Sequence, residues 1–329
     1  MIVTRTPLRI PLGGGGTDLP SYSSKFGGFL MSAAIDKYTF ITVNRRKLDR
    51  LIRASYSKTE IVESVDKLQH PLIREALRLT GIDGGVEITS IGDIPGGSGA
   101  GSSASFTVGL LHALHALKRE QISQWRLAEE ACRIELEILK EPIGKHDQFI
   151  TAIGGITCLD IDRTNHVSTF PAVISEDVLE DLDQCLLLFY TGIVRKTGDV
   201  LQAQDQAANE SHPRVLEALH RIKDTGWEIK SALEAGQLRT FGELMHAHWE
   251  IKKRLSGQVS GNQFDRWYDR ARGAGAVGGK LMGAGGGGFF VFYVENDRKA
   301  ALREAMTAEG LQELRFHFDF EGSKVMVNF

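Results

Sequence analysis

Residues 94–117 read IPGGSGAGSSASFTVGLLHALHAL, and the organisation of the chain turns on them. A strand is expected just before, over Val86 to Ser90, and an apolar helix opens inside the run at Ser102. Glycine lets a backbone pass close to a bulky anion, because no Cβ intervenes. The first amides of a helix lack internal acceptors and lie at the positive end of its dipole. A glycine–serine loop entering such a helix reads as a phosphate cradle. The plainer alternative is a flexible loop with an ordinary serine N-cap.

Two nucleotide signatures bear on this loop. A Walker A loop needs G-x-x-x-x-G-K-[ST], and neither Gly144-Lys145 nor Gly279-Lys280 has the upstream glycine or the following hydroxyl residue. Gly99, Gly101 and Ala104 fit G-x-G-x-x-A ahead of a helix, as in dinucleotide binding. An NAD-binding oxidoreductase is therefore an alternative, and it requires a parallel sheet beginning at this loop. Gly283 to Gly288 matches G-x-G-x-x-G literally, but a strand-like run, Phe289 to Val294, follows it.

Pro95-Gly96-Gly97-Ser98-Gly99-Ala100-Gly101-Ser102-Ser103-Ala104 resembles the central motif of the GHMP small-molecule kinases, which include galactokinase, homoserine kinase and mevalonate kinase. Two further blocks agree in order: PLRIPLGGGGTDL (Pro7 to Leu19) and KLMGAGGGG (Lys280 to Gly288). The run GGGTDLP, the triplet Arg133-Ile134-Glu135 and Gly144-Lys145-His146-Asp147-Gln148 look like the branch acting on D-glycero-D-manno-heptose 7-phosphate.

The resemblance implies an α+β chain of GHMP kinase fold with the active site between two domains. Residues 1–170 would form a ribosomal-protein-S5-domain-2-like domain and residues 171–329 a ferredoxin-like α+β domain. It implies ATP and Mg2+ as cofactors, and a sugar phosphate phosphorylated at O1 to the 1,7-bisphosphate, in nucleotide-activated heptose synthesis. A free sugar such as fucose or galactose is the alternative acceptor. Pro95, Gly96, Gly97, Ser98, Gly99, Ala100, Gly101, Ser102 and Ser103 would wrap the triphosphate, with Ser103 and Glu135 holding Mg2+. Asp147 would orient or deprotonate the acceptor hydroxyl. Arg9 would offset charge on the transferred group, and its guanidinium does not deprotonate. Gly16, Thr17, Asp18 and Gly285 are expected at the substrate, with Arg195, Lys196 and Lys280 as candidate cations for its phosphate. A monomer or homodimer is expected.

The residues themselves leave some roles open. Asp18 reads equally as a cap for the turn Leu19 to Ser24. Glu135 shares a helical stripe with Ala128, Cys132 and Leu139, and a buried carboxylate needs a partner. That partner is a divalent cation, Arg133 or Lys140, unless Glu135 lies exposed at a helix edge. His146 reads as structural. His112, His115, His246 and His248 form two local pairs with no metal geometry.

Hydrophobic content of 42%, charged content of 25% and a net charge of −3 over 329 residues describe an ordinary globular chain. Such a balance gives no general attraction to nucleic acid or to anionic membranes. The basic run Arg45 to Arg53 reads as a solvated face. Three scattered cysteines, Cys132, Cys158 and Cys185, suit buried thiols in a reducing compartment. The start MIVTRTPLRI has no signal-type apolar region, and no run approaches the roughly eighteen apolar residues of a span. A cytoplasmic location is expected. The 36 glycines, about 11% against a usual 7%, cluster as backbone–ligand contacts and tight turns do.

Along the rest of the chain, strands are expected over Phe29 to Ala34 and Tyr38 to Arg46, with a turn at Asp36-Lys37. Pro71 to Thr80 reads as a helix. Ser123 caps another, which buries Leu127, Ala131, Ile134 and Ile138 and ends at Glu141-Pro142. Ile156 to Ile161 and Gln184 to Thr191 read as strands. Helices follow over 199–210, 213–235, 237–254, 262–273 and 297–309. RFHFDF and KVMVNF are expected to close the chain as a hairpin.

Overall fold

The computed structural model describes residues 1–194, 205, 212–255, 262–283 and 285–329. Arg195, Lys196 and nearly all of the helix expected over 199–210 lie outside the described residues.

Two long strands form the spine. β1 (Ile2–Gly13) pairs antiparallel with β2 (Gly28–Arg45) along most of its length. The turn expected at Asp36-Lys37 does not form. Pro7 pairs with Tyr38 and Leu8 with Ile35, so Asp36 and Lys37 are the extra residues of a bulge. The strand bends there and continues.

That length gives β2 two partners on its other edge. Its second half, Thr39 to Arg45, takes β5 (Val86–Gly92), and its first half, Gly28 to Ala33, takes β6 (Ile156–Ile161). β3 (Ile52–Ser55) runs parallel to β5 and antiparallel to β4 (Thr59–Val62). β7 (Val167–Pro171) borders β6. Ahead of and along β3 the basic run is matched by acids: Arg46 pairs with Asp49, Arg50 with Asp83 and Arg53 with Glu87.

A second sheet of four antiparallel strands has the order β11 (Gln312–Leu314), β8 (Leu186–Tyr190), β10 (Phe289–Val294), β9 (Ala276–Leu281). The expected C-terminal hairpin is absent. Arg315 to Phe320 crosses from the small sheet to the large one, touching it through the Ile35–Phe318 bridge. β12 (Lys324–Asn328) then pairs with the free edge of β1. Arg5 anchors the crossing through Asp319 and Glu321. Alternation made both segments strand-like, but the open edge of β1 decided where the last one went.

Helices cover these sheets. They are α1 (Pro20–Phe26), α2 (Pro71–Thr80), α3 (Ser102–Leu117), α4 (Gln124–Cys132), α5 (His146–Ile153), α6 (Glu176–Cys185), α7 (Pro213–Glu234), α8 (Leu238–Lys253), α9 (Asn262–Gly273) and α10 (Lys299–Ala308). α3 is apolar nearly all round because it is buried against β1 and β2. Gly109 lets it close on the sheet, since a Cβ there would sit 2.7 Å from Thr6 Oγ1.

Ser123 caps α4 as expected, accepting from the Arg126 N–H. The helix then widens into a π segment, Arg133–Ile138. Wider winding breaks the 3.6-residue stripe. Ile134 and Glu135 stay inside, whereas Ile138, expected in the core, is 42% exposed. All three cysteines are buried and free.

Candidate functional site

The glycine loop behaves as its composition dictates. Gly97, Gly99 and Gly101 have φ of 78°, 77° and 78°, a region that side chains resist. Gly101 stands at the N-cap of α3 without a side-chain cap, so the first amides of α3 are not capped by it. The hydroxyls of Ser98 and Ser102 are buried without partners. Gly97, Gly99, Gly101, Ser102 and Ser103 line a cleft of about 420 Å3. Ser98 and Ala100 lie beneath the loop, and Ala100 accepts from the Arg9 N–H at 3.1 Å. Pro95 and Gly96 are exposed and do not line the cleft.

β1 carries Arg9 to the same cleft. Its Nε and Nη2 donate to the two oxygens of Asp147 at 2.7 and 2.6 Å, and Nη1 donates to the Gly99 carbonyl at 2.6 Å. One guanidinium therefore ties the candidate base to the glycine loop. Asp147 sits in the first turn of α5, a helix the sequence reading missed. Burial alone would raise its carboxyl pKa, but Arg9 and then His146 outweigh it and hold it far below the usual range.

His146 bridges the two carboxylates. Its Nδ1 lies 2.8 Å from Asp18 Oδ2, and its Nε2 contacts Asp147 Oδ1 at 2.6 Å. Burial opposes its charge, but Asp147 and Asp18 push the imidazole up to about 9. Asp18 does not cap α1, whose N-cap residue is Leu19 and has no side-chain bond. Instead it accepts from the His146 backbone and ring, against a glycine: a Cβ on Gly144 would fall 1.9 Å from Asp18 Oδ2.

Glu135 is 1% exposed. Ser103 Oγ and Gln148 Nε2 donate to its Oε2 at 3.4 and 3.1 Å, and its Oε1 has no partner. Burial pushes its carboxyl up to about 7, with Asp147 adding to the effect. Neither Arg133 nor Lys140 pairs with it, and it is not at an exposed edge. Among the described residues no group of three or more His, Cys, Asp or Glu could hold a metal unaided. A hard cation that keeps several waters and takes few protein oxygens does fit the orphaned oxygen beside Ser103.

Other expected residues divide. Gly16, Asp18 and Lys280 line the cleft. Thr17 does not. Its hydroxyl donates to the Gly14 and Phe29 carbonyls, clamping the loop that presents Asp18. Gly285 is also outside the lining, and the second glycine cluster serves packing more than contact. A Cβ on Gly288 would sit 2.1 Å from Ser98 O, and one on Gly283 would sit 3.0 Å from Gly99 Cα. The dinucleotide alternative at Gly99, Gly101 and Ala104 fails on topology: the next strand after the loop, β6, comes only after α4 and α5 and pairs antiparallel with β2 and β7, not with β5.

His248, expected only as one of a local histidine pair, and Lys252, for which no role was expected, reach this cleft from α8. A signal existed: Phe241, Met245, His248, Trp249 and Lys252 share the buried face of α8, and a lysine on such a stripe calls for an explanation.

Comparison with known proteins gives the family of the chain. The model of the GHMP kinases N-terminal domain matches residues 61–155, and that of the GHMP kinases C-terminal domain matches 229–311, together more than half of the chain. The chain is similar to D-glycero-alpha-D-manno-heptose 7-phosphate kinase of Campylobacter jejuni, 29% identical with 98% of each chain covered. It is also similar to the galactokinase of Pyrococcus furiosus, 28% identical over 94% of each. Among solved structures, a D-glycero-D-manno-heptose 1-phosphate kinase from Bacteroides thetaiotaomicron superposes with a TM-score of 0.82, 25% identical with 100% of each chain covered. No helix among the described residues is long and apolar enough to cross a membrane.

Proposed function

The chain belongs to the GHMP kinases and is a sugar kinase of that family, and from that premise we propose that it phosphorylates D-glycero-D-manno-heptose 7-phosphate at O1 with Mg-ATP. The observation that supports this most is the sharing of one cleft by the glycine loop, the orphaned Glu135 oxygen and the Arg9-held Asp147. In this reading residues 1–170 and 171–329 are its two domains, with β12 returning to the first.

The glycine loop and the open start of α3 receive the nucleotide phosphates. Pro71, Leu72, Leu139 and Ile143 supply the apolar part of the cleft for the base. Ser103 and Glu135 would hold Mg2+, which when bound neutralises charge on the phosphate oxygens. Asp147 accepts the hydroxyl proton as the acceptor oxygen bonds to the γ-phosphorus and the bond to the departing ADP breaks. A strongly depressed carboxylate is a weak base, so Asp147 works mainly by orienting the hydroxyl and takes the proton late. Arg9 sits where charge on the transferred group develops, and such placed cations carry much of the rate.

A phosphorylated acceptor needs cations apart from Glu135, and Lys280 lines the cleft for that purpose. An ADP-release assay would compare heptose 7-phosphate with heptose, mannose, fucose, galactose and mevalonate. Turnover confined to the 7-phosphate is expected. Equal or better turnover on a free sugar would overturn the acceptor assignment, and silence on every compound would overturn the kinase reading.

A further inference from the structure

His248 and Lys252 stand one turn apart on α8, and α8 packs on β9, which carries Lys280. The three side chains line the cleft and are 1%, 7% and 2% exposed. Lys280 Nζ donates to the Leu12 carbonyl at 3.0 Å, and Lys252 Nζ donates to the Gly283 carbonyl. An ammonium has three N–H groups, so each lysine keeps donors to spare. Neither ring nitrogen of His248 has a partner.

Among the described residues no carboxylate pairs with any of the three. The charges they feel are each other and Arg9, whose own counter-ion is Asp147. Burying like charges with no opposite partner is expensive. A fold keeps such an arrangement where an anion completes it.

We propose that His248, Lys252 and Lys280 form a built subsite for a phosphoryl dianion, distinct from the glycine loop. Two sources share that chemistry: a phosphate already on the acceptor, and the terminal phosphoryl group of the nucleotide. The glycine loop and α3 already serve the nucleotide, so this subsite takes the acceptor's phosphate, an assignment that rests on the kinase reading above. Burial, with Lys280 and Lys252 beside it, holds the His248 imidazole far below its ordinary range. Burial and Arg9 bring Lys252 down to about 8. A bound dianion favours the charged forms of all three.

The test has two arms on the full chain. In the first, inorganic phosphate is titrated against the protein by thermal shift with Mg-ADP present, so that the glycine loop is filled. Wild type gains melting temperature. Lys252→Met, Lys280→Met and His248→Gln lose most of that gain, and their melting temperatures without phosphate match or exceed wild type. An undiminished phosphate shift in all three variants overturns the subsite, and His248→Gln keeps the test alive should a lysine variant fail to fold.

In the second arm, kcat/KM is measured for heptose 7-phosphate and for heptose. The preference for the phosphorylated acceptor falls about tenfold or more in the lysine variants, as expected for losing a hydrogen bond to a charged group. An equal fall on both acceptors with a raised KM for ATP overturns the acceptor assignment and gives the subsite to the nucleotide. Should wild type turn over no sugar, the kinase reading fails while the phosphate arm still decides the subsite.

Discussion

Arg9 grips Asp147 through two nitrogens at 2.7 and 2.6 Å and spends its third on the Gly99 carbonyl at 2.6 Å. The catalytic candidate and the phosphate loop are thus joined through one side chain. Asp147→Asn keeps the volume but removes the charge that orients an acceptor hydroxyl. Its kcat should fall about 10²- to 10⁴-fold with KM for ATP nearly unchanged. Leaving Arg9 and His146 underpaired should also lower stability by on the order of 2 kcal/mol. Steady-state kinetics beside urea unfolding reads both, and a kcat within threefold of wild type would remove Asp147 from the mechanism.

His146 gives the fold a pH signature. Its pKa rises from 6.5 to about 9 on folding, because Asp147 and Asp18 outweigh the burial that opposes its charge. A base raised on folding contributes stability that is complete below the unfolded value and lost as pH climbs through the folded one. Wild type should therefore lose roughly 2–3 kcal/mol between pH 6.5 and 9 relative to His146→Gln. The difference between the two proteins cancels the opposite drift from Lys252. Parallel stability curves across that window would show that the imidazole is neutral in the folded protein.

Glu135 carries the same sign over a lower pH window. Burial raises its carboxyl from 4.5 to about 7, so the folded state keeps a proton that the unfolded chain has released. Stability falls as pH rises from about 4.5 to 7 and is flat above. A cation on the bare Oε1 competes with that proton. Thermal shifts with Mg2+ and ADP should be larger at pH 8 than at pH 6. Glu135→Gln should melt higher than wild type at pH 8 without metal, and should show little Mg2+ response. An undiminished response in that variant would place the metal elsewhere.

Local chemistry was legible in the sequence, and long-range choices were not. Gly97, Gly99 and Gly101 announce the loop because each backbone demand is met by the residue itself. Glu135 stood out as a charge on an apolar stripe, but the neighbouring stripe of Leu127, Ala131 and Ile134 wrongly enrolled Ile138, since the π segment is settled by packing and not by propensity. Asp36-Lys37 looks like a turn; only the register with Pro7 and Leu8 makes it a bulge. The Asp18–His146 contact joins residues 128 positions apart, and no local pattern could have shown that the histidine beside Asp147 reaches Asp18. RFHFDF and KVMVNF alternate correctly, yet strand partners follow from which edge is open.

The two glycine clusters are one packing unit. The Gly288 carbonyl accepts from the Thr191 N–H and hydroxyl at 2.9 and 2.8 Å, and its own N–H donates to Ile193 at 2.8 Å, so this backbone is pinned to the end of β8. It lies directly against Ser98: an added Cβ would sit 2.1 Å from the Ser98 carbonyl oxygen, at a φ of +87°. Gly288→Ala should therefore push the phosphate loop off its seat and lower stability by on the order of 3 kcal/mol. Gly96→Ala meets nothing within 4 Å and has no positive φ, so its stability should stay within about 0.5 kcal/mol of wild type. If the backbone at Gly96 approaches the triphosphate, that same variant raises KM for ATP while melting normally. Measuring both variants by thermal unfolding and ATP titration separates a glycine kept for packing from one kept for a ligand. A Gly96→Ala protein with unaltered KM for ATP would remove that residue from the nucleotide site and leave its neighbours, Gly97 to Ser103, to bind the phosphates.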